Sequence, residues 1–469
     1  MLMYLYEAVI NIYITNKEKK RREQKRMQMK KILRLVASCT FIACLTLYGD
    51  IGTTPVNAKE PIRVGSQGAK TIEDAIENAN EGDTIIVPAG VYKEQISVET
   101  DGITIIGEDG AVLEGSKITP KSSDDSMIYI CASDVTIDNL EIKGFTLNKP
   151  SGSVCPKGIC VDEGSENITI QNCEIHDMGC KYSKKSDDYN AHGILVDGSL
   201  KEPTKNVTIT NCEVYGLRLG NSEAVVVNGN VEGFEISGNT VHDCDNIGID
   251  AIGFEKTTKD NRDRARAGKI CNNTVYNISS KDNVTYDEAC ADGIYIDGGT
   301  DIDVFDNYVE NCDLGIEIAT EHKGVMVEDI RVNNNVVING GLAGISIGGY
   351  DTKKTGGAKN CVITNNTIYN TKGACFLVQY ACDSSNKFKN NLVIAEGSAD
   401  PYEEAFKDKS RGNDVSDNLS NIEFDGAKKG AKKIDVEFTS ANRNEGTATV
   451  KTYTDISGYG STNTVLKNR

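Results

Sequence analysis

The 469-residue chain has no tryptophan, four histidines and only eight prolines. Without tryptophan, stacking on a sugar ring falls to tyrosine or phenylalanine, which offer smaller faces. Fifteen cysteines are present, yet no two are spaced Cys-x-x-Cys, which excludes the usual zinc and dithiol-redox motifs. The nearest approach is "CPKGIC", where Cys155 and Cys160 can close a small loop. Basic residues are outnumbered, 51 Lys and Arg against 69 Asp and Glu, for a formal net charge of −18. That balance excludes nucleic acid as a partner, and it repels a polyanionic glycan unless a divalent cation bridges the two.

Long apolar runs are also missing. The best candidate, Leu35 to Tyr48, has ~14 residues, short for a membrane span. Lys30, Lys31 and Arg34 precede it, and Val56-Asn57-Ala58 follows as a small-residue cleavage pattern. Residues 1–58 therefore read as a secretory signal peptide with a long charged leader, translation starting as far in as Met27 or Met29. The leader holds more basic than acidic residues, so the remainder is more acidic still. The expectation is a secreted or cell-surface protein with no membrane contact after cleavage. Thirteen cysteines remain once Cys39 and Cys44 leave, an odd number that cannot pair completely.

What is present is a repeat. "HGILVDG", "EAVVVNG", "IGIDAIG", "DGIYIDG", "LGIEIAT", "AGISIGG" and, more loosely, "ACFLVQY" begin at His192, Glu223, Ile247, Asp292, Leu314, Ala343 and Ala374. A second series follows them, from "TIQNCEI" and "TITNCEV" through "KICNNTV" to "KFKNNLV", with Cys173, Cys212, Asn239, Asn273, Asn307, Asn335, Asn366 and Asn391 at one position. Strand-length apolar runs at a period near 22 residues mark a solenoid, whose units cannot bury their faces alone. The strands are too short and too evenly spaced for βαβ units. The predicted fold is all-β, a single-stranded right-handed parallel β-helix with an N-terminal helical cap opening at Thr71 and an Asn row that bonds from coil to coil. Expected boundaries are 59–110 for the cap and first coil, 111–395 for the β-helix with groove-forming insertions at 255–290, and 396–469 for a C-terminal cap or tail.

These motifs resemble the pectin-lyase-like superfamily of right-handed parallel β-helix proteins over residues 62–395. That resemblance implies a fold and a range of activities on polysaccharides, among them lyases, glycoside hydrolases, epimerases and adhesins.

Alternation in strands assigns faces. With Ile294 and Ile296 inward, an outward file runs Leu195, Val226, Asp250, Tyr295, Glu317, Ser346, and beside it Asp197, Asn228, Ile252, Asp297, Ala319, Gly348. His192, Glu223 and Asp292 stand at the corner before their strands. Asp297 and Glu317 are diagonal neighbours, ~7 to 8 Å apart. Glycoside hydrolysis needs two carboxyls ~5 to 5.5 Å or ~6.5 to 9.5 Å apart, and their mutual repulsion raises the pKa that the acid requires. "ADGIYIDGG" with "DLGIEIATEHKG" resembles the paired segments of the β-helical β-xylosidase family, which implies Asp297 as nucleophile and Glu317 as acid/base; the acidic patch adds Asp250 as an assisting group. Candidate substrate contacts are Asp292, Tyr295, Glu321, His322, Lys323, Glu223, His192, Arg266 and Tyr350, with Phe254 as a further stacking face. His176 and His242, in register with tyrosines, read as structural.

Three functions remain open at this level. The first is a secreted glycoside hydrolase without a cofactor, acting on a poly- or oligosaccharide. The second is a Ca²⁺-dependent pectate-lyase-like enzyme or C5-epimerase, with Asp250, Asp292, Asp297 and Glu317 holding the cation and Lys323 or Arg266 as base; the pectate lyases' Trp-containing signature has no counterpart here. The third is a non-catalytic glycan-binding surface β-helix whose acids are merely solvated.

Overall fold

The computed structural model describes residues 59–467 apart from 67, 124, 182–184, 187–188, 259–261, 287, 352, 384, 405–412 and 425–429. The expected signal peptide, residues 1–58, lies outside the described residues. Each repeat folds into one coil, and successive coils pair strand on strand into three parallel sheets of 14, 11 and 13 strands among the described residues. The chain is a right-handed parallel β-helix, with the core inside the stacked coils. Its register puts like on like: Ile194, Val225, Ile249, Ile294, Ile316, Ile345 and Phe376 are consecutive partners. All seven are fully buried, each worth ~1.5 to 3 kcal/mol of apolar transfer.

The asparagine row is the polar counterpart of that stack. Asn239, Asn273, Asn307, Asn335, Asn366 and Asn391 each donate from Nδ2 to the Oδ1 of the next member, at 2.9 to 3.1 Å, ending on Asn418. Each also donates its backbone N–H to the same oxygen. These side chains are at most 1% exposed, and besides the ladder each donates from Nδ2 to a backbone carbonyl of a neighbouring coil at 2.9 to 3.0 Å. The left-handed backbone at this corner falls one residue earlier than the ladder, at Asn272, Asp306, Asn334, Asn365 and Asn390. Cys173 and Cys212 fill the row's first positions as small buried side chains.

Asn418 also shows that the coils run on past residue 395. Asp400–Glu404 pairs with Ala374–Val378, and Asn418–Ser420 pairs with Leu392–Ala395 and with Ala431–Lys433. The charged outer faces of these last strands hide the apolar alternation that marks earlier coils. A helix, Ile72–Asn78, carries a Thr71/Asp74 capping box and buries Ile72, Ala75 and Ile76 against the first coils. At the other end Val436–Asn442, Thr447–Thr452 and Thr464–Leu466 form a small sheet on the solenoid's flank. Phe438 stacks on Tyr369 at 3.8 Å there, and the Arg443 guanidinium lies 3.8 Å from the Tyr276 ring. Tyr276 ends a stacked column of His176, Tyr215 and His242, spaced 4.6 to 4.9 Å. No helix among the described residues is long and apolar enough to cross a membrane.

Candidate active site

The 11-stranded sheet carries the candidate residues, and glycine explains their placement. Gly293 and Ile294 both face inward, because a Cβ at Gly293 would lie 2.7 Å from Val309 Cγ1 and 2.9 Å from Cys312 Sγ. The strand Asp292–Asp297 thus breaks alternation once. Asp292 is freed to sit on the outer side, alongside Tyr295 and Asp297.

The outer file runs as the alternation predicts: Leu195, Val226, Asp250, Tyr295, Glu317 and Ser346 are partners in order. Parallel spacing places Asp250 and Glu317 ~9.6 Å apart with Tyr295 between them. Asp297 pairs with Ala319, which makes it diagonal to Glu317. The second file is interrupted, since Ile252 bridges Gly298 and not Asp297. The turn after Asp297 is what shifts this register.

These outward carboxyls are not solvated. Asp250 is 1% exposed, Asp292 3% and Asp297 4%. Asp250 Oδ1 and Asp292 Oδ1 have no hydrogen-bond partner. Burial raises Asp250 well above the ordinary range, and Glu223, Asp297 and Asp292 add to it. Burial likewise raises Asp292, with Glu317 and Glu321 the next contributors. Asp297 is raised by burial and Glu321, although its Oδ1 accepts the Glu321 N–H at 3.0 Å. Burial pushes Glu317 up to about 7, against the Ser346 hydroxyl at 2.9 Å and Gln379 Nε2 at 2.6 Å, both donating to its Oε1. The strongest electrostatic neighbours of all four are acids.

The insertions wall this floor. Asp313 Oδ2 accepts Ser280 N–H at 2.9 Å and Ala291 N–H at 3.0 Å, pinning both ends of the segment that leads into Asp292. Asn283 staples its middle to Gly220 and Asp245 carbonyls. Tyr286 on this wall feels both Glu223 and Glu321, which places it across the floor. Opposite, Glu255 meets His322 at 3.0 Å. Arg264 donates to the Gly298 and Gly299 carbonyls at 3.0 and 2.8 Å and pairs with Glu328, bracing the turn after Asp297. Its guanidinium covers the Phe254 ring at 4.8 Å, so Phe254 serves that brace and is not a bare stacking face.

Of the remaining sequence candidates, Glu223 lies beside His192 at 3.4 Å and next to Asp250, at the N-terminal end of the floor. Tyr295 is buried in the floor, while Tyr350, 62% exposed, stands on the rim near Glu321 and Asp297. Lys323 is exposed on the turn after Glu321 and His322. Arg266 is not brought to the site: it belongs to the 14-stranded sheet, paired with Glu232 at 2.6 Å and Asn230 at 2.9 Å. Cys155 and Cys160 do not close a loop, and all thirteen described cysteines are free thiols. Asp313, Gln379, Glu255 and Tyr286 are contacts that sequence reasoning missed.

Among the described residues, Asp250, Asp292, Asp297 and Glu317 form no group of three with ligand atoms within 4.8 Å; Glu255, Asp297 and His322 do. Strand spacing separates the first set, whereas a loop brings His322 and Glu255 to Asp297. A donor set containing imidazole suits a transition metal better than Ca²⁺.

Residues 91–263, 157–357 and 223–428 match the family described as "Right handed beta helix region". The uncharacterized protein YwoF of Bacillus subtilis strain 168 is 36% identical over 370 residues, 76% of each chain. A tailspike protein of E. coli bacteriophage HK620, solved with a hexasaccharide, shares the fold at TM-score 0.51 and 13% identity, covering 80% of this chain and 64% of that one. The DFA-IIIase of Arthrobacter chlorophenolicus A6 superposes at TM-score 0.49 and 12% identity, over 80% of this chain and 99% of its own. The repeat, the coil stacking and the match across residues 91–428 agree: the chain belongs to the right-handed β-helix family.

Proposed function

We propose that this protein is a secreted carbohydrate-active enzyme that hydrolyses glycosidic bonds of a poly- or oligosaccharide, with Asp297 and Glu317 as the catalytic pair and Asp250 assisting. The observation that carries this reading is the buried carboxylate floor, where burial and like charge hold at least one acid protonated near neutral pH. Glu317, pushed up to about 7, is the acid/base. Asp297, held by the Glu321 N–H, is the group that attacks or directs attack. From diagonal positions ~7 to 8 Å apart, the two side chains reach either separation that glycosidases use. Asp292, Glu223, Glu321, His322 and Tyr350 line the path of the sugar. The tailspike of similar fold holds a hexasaccharide, which supports a glycan ligand.

A lyase or epimerase is the second reading; the Glu255, Asp297 and His322 cluster offers it a cation site, one whose imidazole suits a transition metal better than the Ca²⁺ that reading calls for. It is weakened by the engagement of Arg266 elsewhere, which leaves Lys323 as its base. The experiment is a screen of the purified protein against plant, algal and host glycans, with and without chelator. New reducing ends without ultraviolet absorbance, indifferent to chelator, are expected. Chelator-sensitive absorbance of unsaturated uronates would overturn the hydrolytic reading in favour of the second.

A further inference from the structure

One set of reactive side chains lies outside the catalytic pair. Cys155 precedes the strand Lys157–Val161, in which Lys157 is the register partner of His192. The His192 N–H donates to the Pro156 carbonyl at 3.1 Å, so adjacent coils set Cys155 and His192 side by side. On its other side the ring faces Glu223, with Nδ1 3.4 Å from Oε2 and 3.3 Å from the backbone carbonyl. The imidazole thus stands between a partly exposed thiol and a buried carboxylate. Nucleophile, base and orienting group in that order are the arrangement that activates cysteine.

The other titratable groups acting on this thiol are Lys157, the Cys160 thiol and the Tyr189 hydroxyl. Burial pushes the Cys155 thiol up, but His192 and Lys157 outweigh it and leave the thiol below its ordinary value. Burial pulls His192 down, but Cys155 and Glu223 outweigh it and lift the ring to about 9. The two other partly exposed cysteines behave oppositely, Cys131 being pushed up to about 12 and Cys290 also raised, both by burial first.

We propose that Cys155, His192 and Glu223 form a second reactive centre, a thiolate–imidazolium pair oriented by a carboxylate, that takes a low-molecular-weight disulfide by thiol–disulfide exchange. The Cys155 thiolate attacks one sulfur of the disulfide and the S–S bond breaks. A new bond joins Cys155 to one half, and the other half leaves as a thiolate that takes its proton from His192. The Cys155 sulfur is oxidised as the departing half is reduced, so the exchange balances without another reagent. The adduct stands beside Glu223, at the N-terminal end of the carboxylate floor.

The test is a labelling competition on the intact secreted protein, with limiting glutathione disulfide or iodoacetamide between pH 5.5 and 9.5 and sites mapped by mass spectrometry. At pH 6.5 Cys155 should react at least about tenfold faster than Cys131 or Cys290 with both probes, and its rate should change little from pH 6 to 8. His192→Asn should slow Cys155 about tenfold at pH 6.5 and restore ordinary behaviour near pH 9.5. Should that variant misfold, the wild-type profile decides: a Cys155 rate rising about tenfold per pH unit, as for an ordinary thiol, overturns the pair. Reaction with iodoacetamide but not with glutathione disulfide overturns the exchange.

Discussion

Glu317 illustrates how a side chain's surroundings set its chemistry. Its carboxyl is held protonated up to about 7 against an ordinary 4.5, chiefly by burial. The folded chain therefore keeps a proton that the unfolded chain releases, and stability falls as pH rises from 4.5 towards 7. Glu317→Gln removes that loss: relative to wild type it should gain on the order of 1 to 3 kcal/mol at pH 8 and almost nothing at pH 4, as read from urea unfolding. Gln379 works the other way, since its amide favours the charged form. Gln379→Ala should raise the Glu317 pKa and move the basic limb of the pH–rate profile upward, by about one unit or less. The glutamate was legible from alternation within one strand. The glutamine was not, because it comes from a coil beyond Ser346 whose "ACFLVQY" matches the repeat only loosely.

At the scale of elements, glycine and asparagine set the strands and corners, and the repeat made both visible. The reason for the glycine was not visible: only neighbouring coils show that a Cβ at Gly293 meets Val309 and Cys312. Gly293→Ala should cost about 1 to 3 kcal/mol by overpacking, read as a lower unfolding midpoint, and should reduce activity by disturbing Asp292. Asn307→Ala removes the partner of two Asn273 donors and should cost about 2 to 4 kcal/mol, with hydrogen exchange rising first in the coils around it. Arginines were the least legible. Register names a face within one sheet, but it does not reveal that Arg266 pairs with Glu232 on another, nor that Arg264 braces the turn after Asp297. Arg264→Ala should lower kcat about tenfold or more with the fold retained by circular dichroism, because the turn loses its anchors to two carbonyls.

For the whole molecule, a solenoid separates stability from function. A stacked aliphatic row runs through the coils and an asparagine row joins it from Asn239 to Asn418, whereas the buried outward acids gather on one sheet beside the insertions. The fold was therefore readable from repetition alone, while the site had to be assembled from loops that break it, such as the Glu255 and His322 contact beside Asp297. The account rests on Asp297 and Glu317 acting as a pair inside that groove. Its most direct test uses Asp297→Asn and Glu317→Gln as separate variants, assayed for new reducing ends on the glycan the screen identifies. Loss of about a thousandfold or more in kcat for each, with wild-type circular dichroism, is the predicted result. Either variant retaining full activity while folded would contradict it.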